Sequence, residues 1–205
     1  MYALDIKALI FDLGNVIIDI SPRSCCDYWA KLANKKPEQL YNFFPFDKMY
    51  AQFERGEIPP ESFRSYVNDC LRIQLTEAQF DEGWSKILIK VRDRIPDLLK
   101  ELHQHYRLVA LSNTNEIHVP MWQKICKPIL QYFEHIFSSN EIGFRKPEPD
   151  SFNHVLKYLD LSPQEVLFLD DDSENVIAAK SYGFRTICVS SYEQMVEDLQ
   201  KLRIM

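Results

Sequence analysis

Residues 7–20 read KALIFDLGNVIIDI, a short apolar run that reaches the carboxylate of Asp12 and then enters a loop with Gly14 and Asn15. Residues 8–11 (ALIF) are all apolar, whereas a strand with one solvent-exposed face would alternate apolar and polar residues. We therefore predict a strand buried on both faces, with Asp12 at its carboxyl end. Ligands bind at that edge of an open parallel α/β sheet, so Asp12 is a candidate for chemistry. The alternative is an Asp that only caps the following turn.

The composition is that of a soluble globular protein. The chain has 205 residues, of which 46% are hydrophobic and 26% charged, and its formal net charge is -6. A negative charge without a basic cluster argues against a nucleic-acid partner. The first residues, MYALDIKALIFDLG, carry an acid and a Lys in a short apolar stretch, so we expect neither a signal peptide nor a membrane span. Five Cys without regular spacing argue against a disulfide framework or a zinc site, and a reducing cytoplasm is the simplest location.

The chain has two regions with different sequence patterns. From about residue 24 to residue 84, aromatic and charged residues recur at helical spacing between prolines, which predicts short helices and no strand. Beyond residue 94, helical patterns alternate with apolar runs at 107–111 (RLVAL), 135–138 (HIFS), 166–169 (VLFL) and 185–189 (RTICV). Strands separated by helices predict βαβ units and hence an α/β fold with a parallel sheet. Ser173 is predicted to cap the helix that follows the third of these runs.

Three predicted strands end in polar side chains: Asp12, then Ser112, then the run 170–172 (DDD). The carboxyl ends of parallel strands lie on one edge, so these groups should converge. Carboxylates gathered beside Asp12 repel one another unless a cation compensates, and oxygen ligands suit Mg2+. The Ser112 hydroxyl, the Lys146 charge and the loop amides after Asp12 would add a phosphate site. The alternatives are that Ser112 caps the helix after Asn115 and that Lys146 is a surface residue.

Four motifs resemble those of the haloacid dehalogenase-like superfamily of hydrolases, in the same order. They are FDLGNV at Asp12, ALSNTN at Ser112, RKPEPDSF at Lys146 and LFLDDDSEN at Asp171. The resemblance implies a Rossmann-like core of residues 1–19 and 92–205, flanked by helices, and a small α-helical cap of residues 20–91 inserted after the first strand. FERGEI at 53–58 and the spelling FDLGNV are most similar to bacterial α-D-glucose-1-phosphate phosphatase-like proteins and to the phosphatase domain of epoxide hydrolases.

The resemblance implies a Mg2+-dependent phosphatase that hydrolyses small phosphorylated metabolites through an aspartyl-phosphate, with sugar phosphates as one candidate class. Asp12 would be the nucleophile, Ser112 and Lys146 would hold phosphoryl oxygens, and Asn175 would orient its neighbours. The implied catalytic residues are Asp12, Ser112 and Lys146, the implied substrate-binding residues are Gly14, Asn113, Ser112 and Lys146, and the implied metal ligands are Asp12, the Gly14 carbonyl, Asp171 and Asp170. We expect a monomer or a weak homodimer. Trp84, Phe46 and Phe53 are expected to pack in the core of the cap rather than to line its substrate face.

Gly14 departs from the pattern of the superfamily. Most of its phosphatases carry a second Asp there, which protonates the leaving alcohol, and a general acid is worth roughly 10²- to 10⁴-fold in rate. A cap residue or the substrate would have to replace it. Two other functions therefore stay open: a metal-independent haloacid dehalogenase, which needs no second Asp, and a catalytically weak protein that binds a phosphorylated ligand. The acids at 170–172 argue against the dehalogenase.

Overall fold

A computed structural model describes residues 5–205, so residues 1–4 of the predicted core lie outside the described part of the chain. The strands are β1 (Ala8–Phe11), β2 (Ile18–Ile20), β3 (Leu88–Val91), β4 (Arg107–Ser112), β5 (His135–Ser138), β6 (Val166–Asp170) and β7 (Arg185–Cys188). Five of them form a parallel sheet in the order β5-β4-β1-β6-β7. The predicted α/β fold is therefore confirmed, and the five predicted strands all form.

The position of β1 at the centre of the sheet explains why all four of its residues are apolar. It pairs with β4 on one side and β6 on the other. Leu9 and Phe11 pack into the hydrophobic cluster on one face of the sheet, whereas Ala8 and Ile10 pack into the cluster on the opposite face. Helices cover both faces, so every side chain of β1 is buried and a polar residue would have no solvent to face.

The helices that flank the sheet are α6 (Ile95–Leu102), α7 (Val119–Cys126), α8 (Ser139–Ile142), α9 (Pro149–Leu159), α10 (Ser173–Tyr182) and α11 (Tyr192–Lys201). Asp172, not Ser173 as predicted, caps α10, because its carboxylate accepts the Glu174 N–H at 2.8 Å. The prediction was wrong by one position, since the extended backbone that a cap requires falls on Asp172. None of the helices within residues 5–205 is long and apolar enough to cross a membrane.

The segment between β2 and β3 is helical, as predicted. It contains α1 (Pro22–Ala33), α2 (Pro37–Asn42), α3 (Lys48–Glu54), α4 (Pro60–Leu71) and α5 (Glu77–Ser85). These helices pack around a hydrophobic cluster of their own, in which Trp29, Phe63 and Phe80 are fully buried. Phe53 stacks on Phe63 inside this cluster, with ring centroids 4.1 Å apart, so its predicted place in the core is confirmed.

A two-stranded antiparallel ribbon, β2 with β3, joins the helical segment to the sheet. Ile18 lies opposite Val91, and Asp19 lies opposite Lys90. The sequence did not predict either strand. β2 is only three residues long and follows the Asp12 loop directly, and Ile89 and Lys90 of β3 are exposed, so neither strand has the continuous apolar run of a buried strand.

Candidate active site

Asp12, Ser112 and Asp170 lie at the carboxyl ends of three adjacent strands. Ser112 is the last residue of β4 and Asp170 the last of β6, while Asp12 directly follows β1. The parallel register brings these ends to one edge, since Phe11 lies opposite both Ala110 and Leu169. The sheet therefore brings these polar groups to one edge, as the sequence predicted.

Lys146 lies between two of these acids. Its side chain is 1% exposed, and its ammonium is 2.6 Å from Oδ1 of Asp12 and 2.6 Å from Oδ2 of Asp170. Burial alone would lower the pKa of Lys146, but the two carboxylates outweigh it and raise the pKa. Lys146 is therefore a buried cation, and the interpretation of it as a surface residue is wrong.

The carboxylates of Asp12, Asp170 and Asp171 form a candidate metal centre. Each offers an oxygen, and these three oxygens lie within 4.8 Å of one another. The Lys146 ammonium balances only one of the three negative charges. Burial raises the pKa of Asp12 to about 7 and also raises the pKa of Asp171, so the cluster resists full ionisation without a further cation. Oxygen-only ligands with surplus negative charge fit a hard divalent cation such as Mg2+.

Neighbouring groups hold two of these acids in place. The Asn15 side-chain amide donates to Oδ2 of Asp171 at 2.9 Å. Asp170 accepts from the Asp172 backbone N–H at 2.8 Å and from the Asn175 amide at 3.2 Å. The expected contact of Asn175 with a neighbouring acid is thus confirmed. The Asp172 carboxylate does not join the cluster, because it caps α10.

Asn113 holds the Lys146 loop. Its side-chain Oδ1 accepts the Lys146 N–H at 2.8 Å, and its Nδ2 donates to the Lys146 carbonyl at 2.9 Å. Both ends of the amide are therefore engaged by the backbone of Lys146. The Asn113 side chain thus positions the lysine beside Asp12, and its predicted part in substrate binding stays a prediction.

The loop at Gly14 has space for a side chain. A Cβ at this position would lie 3.4 Å from Cδ1 of Ile20 and 3.6 Å from Oδ2 of Asp12, which are ordinary contact distances. The Gly14 carbonyl accepts the Val16 N–H at 2.6 Å, so one of its two lone pairs is used within the turn. Steric crowding at the Cβ position therefore does not explain why this residue is Gly and not Asp.

A hydrogen-bonded group that the sequence did not predict links the helical segment to the loop after β4. The Trp84 indole N–H donates to Oδ1 of Asn115 at 3.3 Å, and the Asn115 amide contacts Nδ1 of His118 at 3.2 Å. Nε2 of His118 lies 2.9 Å from the Trp84 carbonyl. Burial lowers the pKa of His118 to about 4, so the ring is neutral and donates from Nε2.

Two ion pairs cross from α3 to the loop that carries Lys146. Glu54 accepts from Nε of Arg145 at 2.7 Å, and Arg55 donates to Glu148 at 2.7 Å. Glu54 is 4% exposed, and burial raises its pKa although Arg145 opposes this. These four residues belong to the FERGEI and RKPEP motifs, and the sequence predicted none of their contacts.

A cavity of about 280 Å³ adjoins Gly14 and Ser112. Trp84 and Phe46 line it, although both were expected to pack in the core. Trp84 is indeed 3% exposed and belongs to the core cluster, so it serves both purposes. The prediction for Phe46 was wrong: it is 67% exposed, because it lies on an irregular segment between α2 and α3 at the cavity mouth.

The chain is similar in sequence to known proteins over most of its length. The sequence pattern of the haloacid dehalogenase-like hydrolases matches residues 6–183. The D-ribitol-5-phosphate phosphatase of Bacteroides thetaiotaomicron is 28% identical over 186 residues, which cover 88% of this chain and 90% of that protein. A sesquiterpene phosphatase of Aspergillus oryzae is 30% identical over 179 residues, which cover 86% of each chain.

A solved structure has the same architecture. It is a HAD family enzyme from Bacteroides thetaiotaomicron in complex with magnesium and inorganic phosphate, with a TM-score of 0.78, 29% identity, and coverage of 93% of this chain and 98% of that one. The shared fold and the family pattern over most of the sequence confirm the predicted family: this chain belongs to the haloacid dehalogenase-like hydrolases.

Proposed function

We propose that the protein is a Mg2+-dependent phosphatase of small phosphate monoesters that works through an aspartyl-phosphate on Asp12. The observation that carries the proposal is the grouping of the Asp12, Asp170 and Asp171 carboxylates, with buried Lys146 paired to the first two. Ser112 ends the adjacent strand β4 at the same edge of the sheet. Carboxylates, a cation and a hydroxyl at one sheet edge are what a phosphoryl group and its counter-ion require. The phosphatases among its relatives, and the related structure with magnesium and phosphate, support the same conclusion.

In the first step, a carboxylate oxygen of Asp12 attacks phosphorus, and the bond from phosphorus to the alcohol oxygen breaks. The Lys146 ammonium, 2.6 Å from Oδ1, favours the ionised form of Asp12 and opposes the burial that raises the pKa of this carboxyl. Ser112 donates to a phosphoryl oxygen, and Lys146 offers a second charge to the same group. In the second step, water attacks phosphorus, the bond from phosphorus to the Asp12 oxygen breaks, and inorganic phosphate and the Asp12 carboxylate are released. The proton that the water loses to solvent balances the one that the departing alcohol takes up.

The metal would be held by Asp12, Asp170, Asp171 and the carbonyl of Gly14. When bound, Mg2+ would neutralise negative charge on the phosphoryl group. Asn15 and Asn175 orient the carboxylates that face it, because each donates to one of them. The departing alcohol must take a proton, and residue 14 supplies none.

The remaining predictions extend this proposal. Residues 20–91 would serve as a cap that covers the site, and 1–19 with 92–205 would form the hydrolase core. Their separate hydrophobic clusters support this division. We also propose a cytoplasmic protein that acts as a monomer or weak homodimer on a small phosphorylated metabolite, without nucleic-acid or membrane partners. The relatives act on chemically different alcohols, so their names do not identify the substrate.

The test is phosphate release from 4-nitrophenyl phosphate and from an alkyl phosphate, with Mg2+ and with a chelator. The proposal predicts release that depends on Mg2+. Halide release from a haloacid, unaffected by the chelator, would favour the dehalogenase. Mg2+-dependent binding of phosphate without turnover of any ester would favour the ligand-binding alternative.

A further inference from the structure

The cavity beside Gly14 and Ser112 indicates the class of alcohol that the substrate carries, an inference that rests on the proposed phosphatase function. Its volume is about 280 Å³. A cavity of roughly 150 Å³ accepts one benzene molecule. The space therefore suits a phosphate with an organic group about as large as one aromatic ring.

Aromatic side chains from the helical segment form one wall of this cavity. Phe44 stacks on Trp84 with ring centroids 5.1 Å apart and an angle of 9° between their planes. Phe46 lies 4.8 Å from Phe44 and 5.3 Å from Tyr50, measured between ring centroids. These four rings form a continuous surface that we call the aromatic wall, and all of them line the cavity.

Aliphatic side chains and thiols form much of the remaining surface. Ile20, Ile87 and Leu88 line the cavity where the ribbon meets the helical segment. Cys25 and Cys26 also line it, and burial raises the pKa of both thiols, so they are uncharged. Covering this surface with an apolar group is favourable because it removes apolar area from water. The same surface offers few hydrogen-bond partners to a hydroxyl group of the substrate.

Several polar side chains in the cavity already have partners. Both ring nitrogens of His118 are engaged, by Asn115 and by the Trp84 carbonyl, and the Trp84 indole donates to Asn115. The Asn113 amide is used at both ends by Lys146. A buried hydroxyl without a partner is costly, so a polyol hydroxyl that faces these engaged groups would weaken binding. The buried Trp122 indole N–H lines the cavity without a partner among residues 5–205 and offers a hydrogen bond to one hydroxyl, fewer than a polyol carries.

The charge of the cavity limits the substrate further. Glu54 lines it and is paired with Arg145, whereas no Lys or Arg within residues 5–205 lines it. A second phosphate or a carboxylate on the organic group would therefore be buried near a carboxylate and without a cation. The cavity favours an organic group that is uncharged.

We propose that the substrate is a monophosphate ester of an uncharged, largely apolar alcohol whose hydrocarbon or aromatic group lies against Phe44, Phe46, Tyr50 and Trp84. Sugar phosphates were one candidate class from the sequence. The aromatic wall and the polar groups that already have partners favour a hydrocarbon group over a polyol in the substrate alcohol.

Two primary alkyl phosphates test this proposal: 2-phenylethyl phosphate and ribitol 5-phosphate. Their reacting ends are alike, so the comparison reports mainly on the organic group. The expected kcat/KM in Mg2+ is higher for the phenylethyl ester by about tenfold or more, because its ring is buried at the aromatic wall. Equal values, or a preference for the ribitol ester, would overturn the proposal while leaving the phosphatase function in place.

Phe46→Ala and Phe43→Ala are matched variants. Phe46 is 67% exposed and lines the cavity, whereas Phe43 is 72% exposed and lies outside it. Phe46→Ala should lower kcat/KM for the phenylethyl ester about fivefold, mainly through KM, and Phe43→Ala should change it by less than about twofold. Equal effects of the two variants would overturn the placement of the ring. If neither ester nor 4-nitrophenyl phosphate is hydrolysed, the proposed function fails, and this inference fails with it.

Discussion

Lys146 places its ammonium 2.6 Å from Oδ1 of Asp12, in an ion pair that is closed off from solvent. The same ammonium reaches Asp170 at 2.6 Å, so one cation holds the ends of two strands together. The Asn113 amide fixes the Lys146 backbone from the third strand end. The geometry of the nucleophile therefore depends on a loop that lies more than 130 residues away in sequence, since Asp12 and Lys146 are separated by 134 residues.

Replacing Lys146 with Met should abolish phosphate release and destabilise the protein in the absence of metal. It leaves Asp12 and Asp170 buried without their cation, and breaking a buried pair costs about 3–5 kcal/mol. Chemical denaturation with a chelator present measures this. Lys7→Met is the control, because Lys7 pairs with Glu165 on the surface and its loss should change stability little. Similar stability changes in the two variants would contradict the structural role of Lys146.

Mg2+ should raise the melting temperature, because the metal binds the folded acid cluster and not the unfolded chain. At 100 times its dissociation constant, the metal would add about 2.7 kcal/mol, or roughly 5–10 °C for a chain of this size. Asp171→Asn should remove most of the response. Asp172→Asn should keep it, because Asp172 caps α10 outside the cluster and Asn caps helices as well. A melt that Mg2+ leaves unchanged in the wild type would speak against the metal centre.

Gly14→Asp should favour alkyl phosphates over aryl phosphates. The backbone at Gly14 is not left-handed, and the added Cβ meets Ile20 and Asp12 only at contact distance, so the fold should tolerate it. Burial beside Asp12 would keep the new carboxyl protonated and able to donate. The alkyl-to-aryl ratio of kcat/KM should rise by about 10²-fold or more, because a phenol departs without a proton and an alkoxide does not.

Gly14→Asn is the control for this change, since it has the same shape and lacks an acidic proton. It should leave the ratio at the wild-type value. If Gly14→Asp also leaves it unchanged and the wild type already turns over alkyl esters well, another group supplies the proton. Glu54 is then the residue to replace, because it lines the same cavity and burial raises its pKa.

His118 should make stability fall as the pH drops. Its pKa is lowered from 6.5 to about 4 by burial, so below pH 6.5 the unfolded chain binds a proton that the folded chain does not. The contribution of His118 to the free energy of unfolding is complete above pH 6.5. Up to about 3 kcal/mol of it is lost as the pH falls toward 4. Unfolding by denaturant at several pH values measures the slope. His118→Gln should flatten it over this range, and an unchanged slope would mean that the ring is protonated in the folded state.

The sequence predicted those parts of the site that follow from strand order. Asp12, Ser112 and Asp170 converge because apolar runs buried on both faces reveal parallel strands, and parallel strands share one carboxyl edge. Lys146 was predicted from its motif, and the structure places its ammonium in contact with two of the converging acids.

The rest depends on tertiary contacts that carry no local signal. The ribbon of β2 and β3 pairs residues about 70 positions apart, and the Asn113 side chain holds the backbone of Lys146, which lies 33 residues further along the chain. The bonds of Trp84 with Asn115 and of Glu54 with Arg145 join elements that only the assembled fold brings together. Phe46 was assigned to the core because exposure of an aromatic residue cannot be recognised without knowing what covers it.

The proposed mechanism requires that phosphorus becomes bonded to the Asp12 carboxylate during turnover. Wild-type protein is mixed with excess 4-nitrophenyl phosphate and Mg2+, quenched in acid during turnover, and treated with borohydride, which reduces an acyl phosphate to an alcohol. Peptide mass spectrometry then reads residue 12. We predict homoserine at residue 12 in the wild type, with none in Asp12→Asn, which should also release no phosphate while remaining folded. Rapid phosphate release without modification of residue 12, or wild-type activity in Asp12→Asn, would contradict the account.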